Sequence, residues 1–230
     1  MLLNPFRFTA IAPPPSGDPS FANVVSLLHF DGANGDTTFP DEKGNTYTKS
    51  GSPTTQSSPK VFGTASGRLA SADRLALPAL GTPIFGGLFT LEFFLGLSQT
   101  SGTSYIMGAT TGGFFWIQVT HTATGALLRA TIGGSTTTGD SSARVPLSGF
   151  SHIAVTRDGS NVMRLFIDGA LQGSVVSSLV FTSGPLWLSG NSSMIGGQPT
   201  LMNIDEFRLT NGVCRYTSSF TPPTEAYPNA

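Results

Sequence analysis

The chain has 230 residues, with 12 Lys and Arg against 13 Asp and Glu, for a formal net charge of −1. A balance this close to zero builds no basic field to gather nucleic acid or anionic lipid, which sets both aside as partners. Cys214 is the single cysteine, so no intrachain disulfide can form and the chain folds on packing alone. Charged residues make up 11% of the chain, below half of the ~25% usual in soluble domains, while hydrophobic residues at 39% suffice for a sizeable core. With 28 Gly, 16 Pro and much Ser and Thr, the composition favours strands and turns over helices. A surface so poor in charge suits packing inside an assembly better than free solution.

The opening residues Met1–Arg7 contain Pro5 and Arg7, which interrupt any apolar core of a signal peptide, and no transmembrane run follows. The expectation is a product made in a cytoplasm without export by the usual route. Residues 1–22 read as an arm. Pro13, Pro14, Pro15 and Pro19 exclude helix and central strand and leave an extended spacer. Leu2, Leu3, Phe6 and Phe8 stand ahead of it as apolar anchors, which suggests docking on a neighbouring subunit.

From Val24 onward the chain reads as one all-β domain, residues 23–230. Val24–Phe30 is a strand stopped by Asp31-Gly32, and a long polar loop follows through Asp41-Glu42-Lys43-Gly44-Asn45 to Ser50-Gly51-Ser52-Pro53. Leu88–Leu95, Phe114–Val119 and Leu127–Ile132 are further strands. Ile153–Thr156 turns at Asp158-Gly159 into Met163–Ile167, which turns at Asp168-Gly169 into Leu171–Val176. Leu186–Leu188 and Ile204–Leu209 close the series. Turn signals recur about every ten residues, the spacing of a β-sandwich. No helical period and no fixed repeat appears.

Several of these segments resemble one family in order. Leu27-Leu28-His29-Phe30-Asp31-Gly32 is similar to the opening strand of concanavalin A-like, laminin-G-like jelly-roll domains. Lys60-Val61-Phe62-Gly63-Thr64-Ala65 with Leu69, and Phe89-Thr90-Leu91-Glu92-Phe93, resemble its next steps. So do Phe150–Arg157, Leu165-Phe166-Ile167-Asp168-Gly169, and Ile204–Tyr216 followed by Phe220-Thr221-Pro222-Pro223. The resemblance covers about residues 24–228 and implies an antiparallel jelly-roll β-sandwich. The closing T-x-G-x-x-R-Y stretch with its F-T-P-P tail is similar to the version found in tailed-bacteriophage proteins, which implies a virion component.

Glycosidases on this jelly roll need two carboxylates roughly 5–9 Å apart on one face. Asp205 and Glu206 are neighbours on a strand and should point to opposite faces, Asp41-Glu42 lies in a loop, and Glu92 has no acid at i+2 or i+4. Gly139-Asp140-Ser141-Ser142 lacks the strand-to-helix elbow of a nucleophilic serine and reads as a polar turn. His29, His121 and His152 show no ligand spacing, and Cys214 reads as a small packed residue. The resemblance places the first and last strands side by side, which would bring Asp31 and Asp205 together. Hard oxygen ligands there suit a structural Ca²⁺, with Asp41 or Asn45 completing the shell. Equally, Asp31 can cap its turn and Asp205 bond backbone amides. For a glycan site, Trp116 and Trp187 sit inside apolar runs and read as core, leaving Tyr105 as the rim candidate.

The function read from all this is a non-enzymatic structural or surface component of a phage virion, a capsid decoration or tail-associated protein. It would be present in several copies, anchored through its arm to other virion proteins, with host-surface glycan as a further partner. The alternative is a carbohydrate-binding adhesion module; a glycoside hydrolase stands behind both.

Overall fold

The computed structural model describes residues 17–70, 72–77, 85–109, 115–180, 185–190 and 201–230, and the structural statements below concern these. Leu2, Leu3, Phe6 and Phe8 lie outside them. The strands in chain order are β1 (Val24–Leu28), β2 (Thr48–Ser50), β3 (Thr54–Gln56), β4 (Ser66–Leu69), β5 (Arg74–Leu77), β6 (Phe89–Leu97), β7 (Gly102–Ala109) and β8 (Phe115–Thr122). They continue as β9 (Gly125–Ile132), β10 (Thr136–Thr137), β11 (Ser151–Arg157), β12 (Val162–Ile167), β13 (Ala170–Val176), β14 (Leu186–Leu188) and β15 (Met202–Asn211). One sheet runs β13-β12-β11-β6-β15-β4-β3, with β1 also on β15; the other runs β10-β9-β8-β7-β14-β5-β2. Every pairing is antiparallel. The two sheets stack as a jelly-roll sandwich, as the sequence leads one to expect.

Period-two alternation builds the core. Leu91, Phe93 and Leu95 of β6 and Ile153 and Val155 of β11 turn inward to meet Phe115, Ile117 and Val119 of β8 and Leu128 and Ala130 of β9 in one cluster. The β-branched and aromatic strands stand where the sequence places them. Strands β2, β3, β4, β5, β7 and β10 fall instead in stretches where the sequence pattern assigns no strand. They are short, polar or glycine-bearing, and are strands because a neighbour pairs with them, which no local pattern reports. Arg157 ends β11 pointing inward, 1% exposed. Among the described residues no carboxylate meets it; its guanidinium donates to the carbonyls of Phe85 at 2.6 Å, Gly87 at 2.8 Å and Leu179 at 2.6 Å. One buried side chain thus ties two connecting loops to the sheet, and burial lowers its pKa.

The outer face of the first sheet is covered by the chain's own ends. Residues 212–230 lie over it: Thr156 Oγ1 donates to the Tyr216 carbonyl at 2.9 Å, Phe220 packs edge-on to Phe166 and His152, and the Tyr227 hydroxyl is 3.0 Å from His152 Nε2. Glu92, fully buried mid-strand, is the hub. Its Oε1 accepts from Arg208 Nε at 2.9 Å and its Oε2 from the Tyr216 hydroxyl at 2.9 Å. Arg208 also donates to Asp18 at 3.1 Å and lies 3.8 Å over the Tyr227 ring. Arg215 grips Asp18 with two nitrogens, at 2.6 and 3.0 Å. Burial works to raise the Glu92 pKa, but His152, Arg208 and Arg215 pull it down to about 2. The Asp18 amide donates to the Ala230 carbonyl at 2.6 Å, so the two ends of the domain meet on this face. Residues 17–22 are fastened to the body, because Asp18 is the shared acceptor of two arginines and Phe21 packs beside Val24, Leu27 and Tyr227.

The tail has a second fastening. Burial disfavours the charged His29 ring, but Glu206 at 2.8 Å and the Asn229 side-chain oxygen at 2.6 Å hold its pKa up at about 9, against 6.5 ordinarily. A folded-state pKa that is raised stabilises fully below about pH 6.5, and that contribution is lost as pH rises through about 9. Unfolding by urea between pH 6 and 10 should therefore show falling stability, and His29→Gln should flatten the slope. A second expected outcome concerns the hub: Glu92→Leu leaves the buried Arg208 with Asp18 as its remaining acid and the Tyr216 hydroxyl without its acceptor, and should cost about 3–5 kcal/mol, while Glu92→Leu with Arg208→Leu costs less than the single change, read from urea midpoints.

Candidate functional site

The tail covers the first sheet; on the outer face of the second, Trp116, Gln118 and Arg129 are half-buried among the described residues. In β8 the residues alternate, Phe115, Ile117 and Val119 inward and Trp116, Gln118 and Thr120 outward. The register fixes what surrounds Trp116. Thr131 of β9 lies on one side of it, Gly108 of β7 on the other, and beyond Gly108 comes Trp187 of β14. Gly108 carries no side chain, so the two tryptophans flank a gap two strand spacings wide, roughly 9–10 Å between backbones. Along the neighbouring row stand Arg129, Gln118 and Tyr105. A bulge between Tyr105 and Met107 lets Tyr105 face out while Ile106 and Met107 both enter the core. The Tyr105 ring meets Trp116 edge-on, centroids 6.3 Å apart at 88°. Together with Gln118, Arg129, Thr131 and Thr137 they line a shallow pocket of about 130 Å³. Asp140 holds the Arg129 guanidinium in place, with Nε at 2.9 Å from Oδ1. Trp187 Nε1 has no hydrogen-bond acceptor among the described residues.

Flat apolar rings beside amide, hydroxyl and guanidinium groups are the chemistry that receives a sugar: C–H faces stack on rings while hydroxyls find polar partners. Two readings of the sequence are corrected here. Trp116 and Trp187 are not core but outward and half-buried, since a period-two strand puts alternate members of an apolar run on opposite faces. The signal was present: polar Gln118 and Thr120 share parity with Trp116. Tyr105, the rim candidate, lies on β7 beside Trp116.

The other candidates separate by what holds them. The first and last strands do pair, β1 with β15. Asp31 and Asp205 then converge on one loop: Asp31 Oδ1 accepts from the amides of Thr64 and Ala65, and Asp205 Oδ2 from Val61 at 2.7 Å and Phe62 at 3.3 Å. Gly63, φ +55, sits against the Asp31 carboxylate where a side chain would collide. Burial pushes Asp205 up to about 7 despite those amides. Asp41 is elsewhere, accepting from the Ser26 hydroxyl at 2.5 Å and from Asn45 Nδ2 at 3.2 Å. Among the described residues, no three His, Cys, Asp or Glu side chains converge as an ion-binding group. Glu206, at φ +51 in the bulge between Asp205 and Arg208, turns to His29 and the Tyr227 amide instead of an open face. Ser141 is buried, its hydroxyl donating to the Ala143 carbonyl at 2.7 Å. Cys214 is half-buried against the Tyr216 carbonyl, and His121 Nε2 is 2.7 Å from Ser104 Oγ.

A family profile described as the concanavalin A-like lectin/glucanases superfamily matches residues 69–215. No curated protein sequence matches the chain. Among solved structures, domain 4 of AbnA, a GH43 extracellular arabinanase from Geobacillus stearothermophilus, in complex with arabinotriose, is similar with TM-score 0.62 at 18% identity, over 84% of this chain and 94% of that one. The binding domain of Paraclostridial Mosquitocidal Protein 1 gives TM-score 0.62 at 12% identity, over 87% of this chain and 50% of that one. The binding domain of botulinum neurotoxin DC in complex with SialylT gives 0.57 at 13%, over 83% and 48%. The chain thus spans about half the length of those two toxin binding domains. At these identities the likeness is one of fold.

The acid pair yields a direct measurement. Both Asp205 oxygens and Asp31 Oδ1 already accept hydrogen bonds from the protein, which leaves Asp31 Oδ2 without a donor among the described residues. The thermal midpoint should be the same in millimolar calcium as in EDTA; a rise of several degrees with calcium would restore an ion to the loop.

Proposed function

The chain belongs to the concanavalin A-like lectin/glucanase superfamily, and on that premise we propose that it is a carbohydrate-binding module whose site is the aromatic outer face of the second sheet. The observation that carries this is the row Trp116–Gly108–Trp187, two outward rings with the side-chain-free Gly108 set between them in register and Tyr105 beside Trp116. The neighbours solved with arabinotriose and with SialylT support the same reading. The module is read as non-enzymatic. A glycosidase needs two carboxylates roughly 5–9.5 Å apart flanking the bond to be cut. Here Glu92 is buried in an ion pair, Asp205 and Glu206 are buried in hydrogen bonds, and Asp140 beside the aromatic face is paired with Arg129.

The virion placement is the finer part of the proposal and rests on the closing motif, the low charge and the proline-rich leader. In the fold, each motif residue has an architectural partner. Thr210 Oγ1 accepts from Arg215 Nε at 3.2 Å, Gly212 takes φ +78, Arg215 binds Asp18, and Tyr216 binds Glu92. That set seats the tail of any domain built this way, so the carbohydrate-binding reading stands ahead of the virion one. On a particle, the aromatic face would be the surface offered to host glycans.

Binding to arabinotriose and to an oligosaccharide array tests the reading. Trp116→Ala should weaken the best array ligand by about tenfold or more, with the unfolding midpoint nearly unchanged because the ring is outward. Undiminished binding in Trp116→Ala and Tyr105→Ala would sink the assignment of this face.

A further inference from the structure

A second cavity, of about 330 Å³, opens at the far end of the first sheet, away from the aromatic face. Its floor is a cross-strand row: Gly96 of β6, Asn203 of β15 and Arg68 of β4. Asn203 is outward because Met202 and Ile204 on either side enter the core. Gly96 keeps the floor low. A Cβ there would stand 3.2 Å from the Gly149 carbonyl and 3.5 Å from Asn203 Cβ, and would crowd the opening. Gln56, Ser98 and Ser148 stand around the rim, and Leu97, Leu147 and Pro59 give it apolar sides. The volume lies inside the range of small-molecule sites, about 300–1,000 Å³.

The charge in this cavity is one-sided. Arg68 is the one ionisable side chain in its lining, exposed and without a hydrogen bond or ion pair to any described residue. The nearest acid on the same strand face, Asp205, is turned to the amides of Val61 and Phe62. Every other described arginine on this sheet has a partner: Arg157 has carbonyls, Arg164 has Asp158, and Arg208 has Glu92. The amides are placed to accept. Asn203 Nδ2 donates to Ser66 Oγ at 3.1 Å and Gln56 Nε2 to the Ser58 carbonyl at 2.5 Å, which leaves both side-chain oxygens for incoming hydroxyls.

We propose that this cavity is a second binding site, for a carboxylate-bearing sugar, with Arg68 taking the carboxylate and Asn203 and Gln56 the hydroxyls. A guanidinium is a planar fork that meets a carboxylate through two parallel hydrogen bonds, and such charge-assisted pairs are about twice as strong as neutral ones. The choice of a sugar as carrier rests on the carbohydrate-binding reading; the choice of an anion rests on the cavity alone. The two sites lie on different sheets, facing away from each other. One module would therefore hold a neutral glycan on one side and an acidic one on the other.

Titration calorimetry of the full chain with trigalacturonate, galactotriose and sodium acetate tests this. Trigalacturonate should bind and galactotriose should not bind at the cavity. Affinity should fall with added NaCl, since an exposed charge pair is screened. Arg68→Ala should weaken trigalacturonate about tenfold or more, Arg68→Lys should recover part, and Trp116→Ala should leave it unchanged. Arg68 is exposed, so the variant keeps its fold. Loss in Trp116→Ala with none in Arg68→Ala would overturn the second site while sparing the aromatic one. Absence of trigalacturonate binding to the wild type would overturn it outright. Acetate binding as tightly as trigalacturonate would reduce the cavity to an anion trap and overturn the sugar assignment.

Discussion

The buried pairing of Glu92 with Arg208 organises this domain. A carboxylate in the middle of the central strand β6 would be untenable facing an apolar layer or left uncovered on a sticky sheet. It is tenable here because Arg208 comes from the adjacent β15, and because Tyr216 from the tail and Asp18 from the leading segment complete the shell. The pair draws both ends of the chain onto one face. Its strength is conditional, since a buried ion pair is stabilising only while every member is satisfied. The tail is therefore part of the sheet's chemistry, and the domain's first and last residues are among those that hold it together.

That arrangement makes the two sheets unequal. The outer face of the first is sealed along most of its length by the tail, with its rings of Tyr216, Phe220 and Tyr227. The second sheet receives no such cover from the described residues. Tryptophans turned to the outer side of a sheet, even half-buried, leave apolar ring surface in water that a ligand can cover. Its rings are interleaved with Gln118, Thr131 and Arg129, and that polar admixture separates a sugar platform from a protein-docking patch, whose centre is depleted of charge.

The acids of the first sheet show how one residue type fills several roles in one fold. Asp205 and Asp31 grip the 61–65 loop by its amides, Glu206 holds the tail through His29, and Glu92 anchors an arginine. Carboxylates accepting from backbone N–H groups or paired with cations are satisfied structural elements. Arg68 is the counterexample on the same sheet, a cation with no acid set against it among the described residues. Such imbalance marks ligand chemistry better than the number of charges does.

Fold class was legible in residue pattern alone: the alternating runs of β6, β8, β9, β11, β12 and β15, with their Asp-Gly turns, describe stacked antiparallel sheets, and local periodicity is what a strand imposes on its own sequence. The short strands β2 to β5 and the bulged β7 were not legible, because their pairing is a property of their neighbours. The pairing of β1 with β15 was anticipated, yet the use made of it was not. Whether Asp205 faces an ion or the amides of Val61 and Phe62 depends on where a loop 140 or so residues away passes. Parity within β8 could have placed Trp116 outward, but only the register across β7 sets Trp187 opposite it with Gly108 between. The linear chain carries which residues can form strands; which faces stay open, and which side chains meet on them, is settled when distant segments pack.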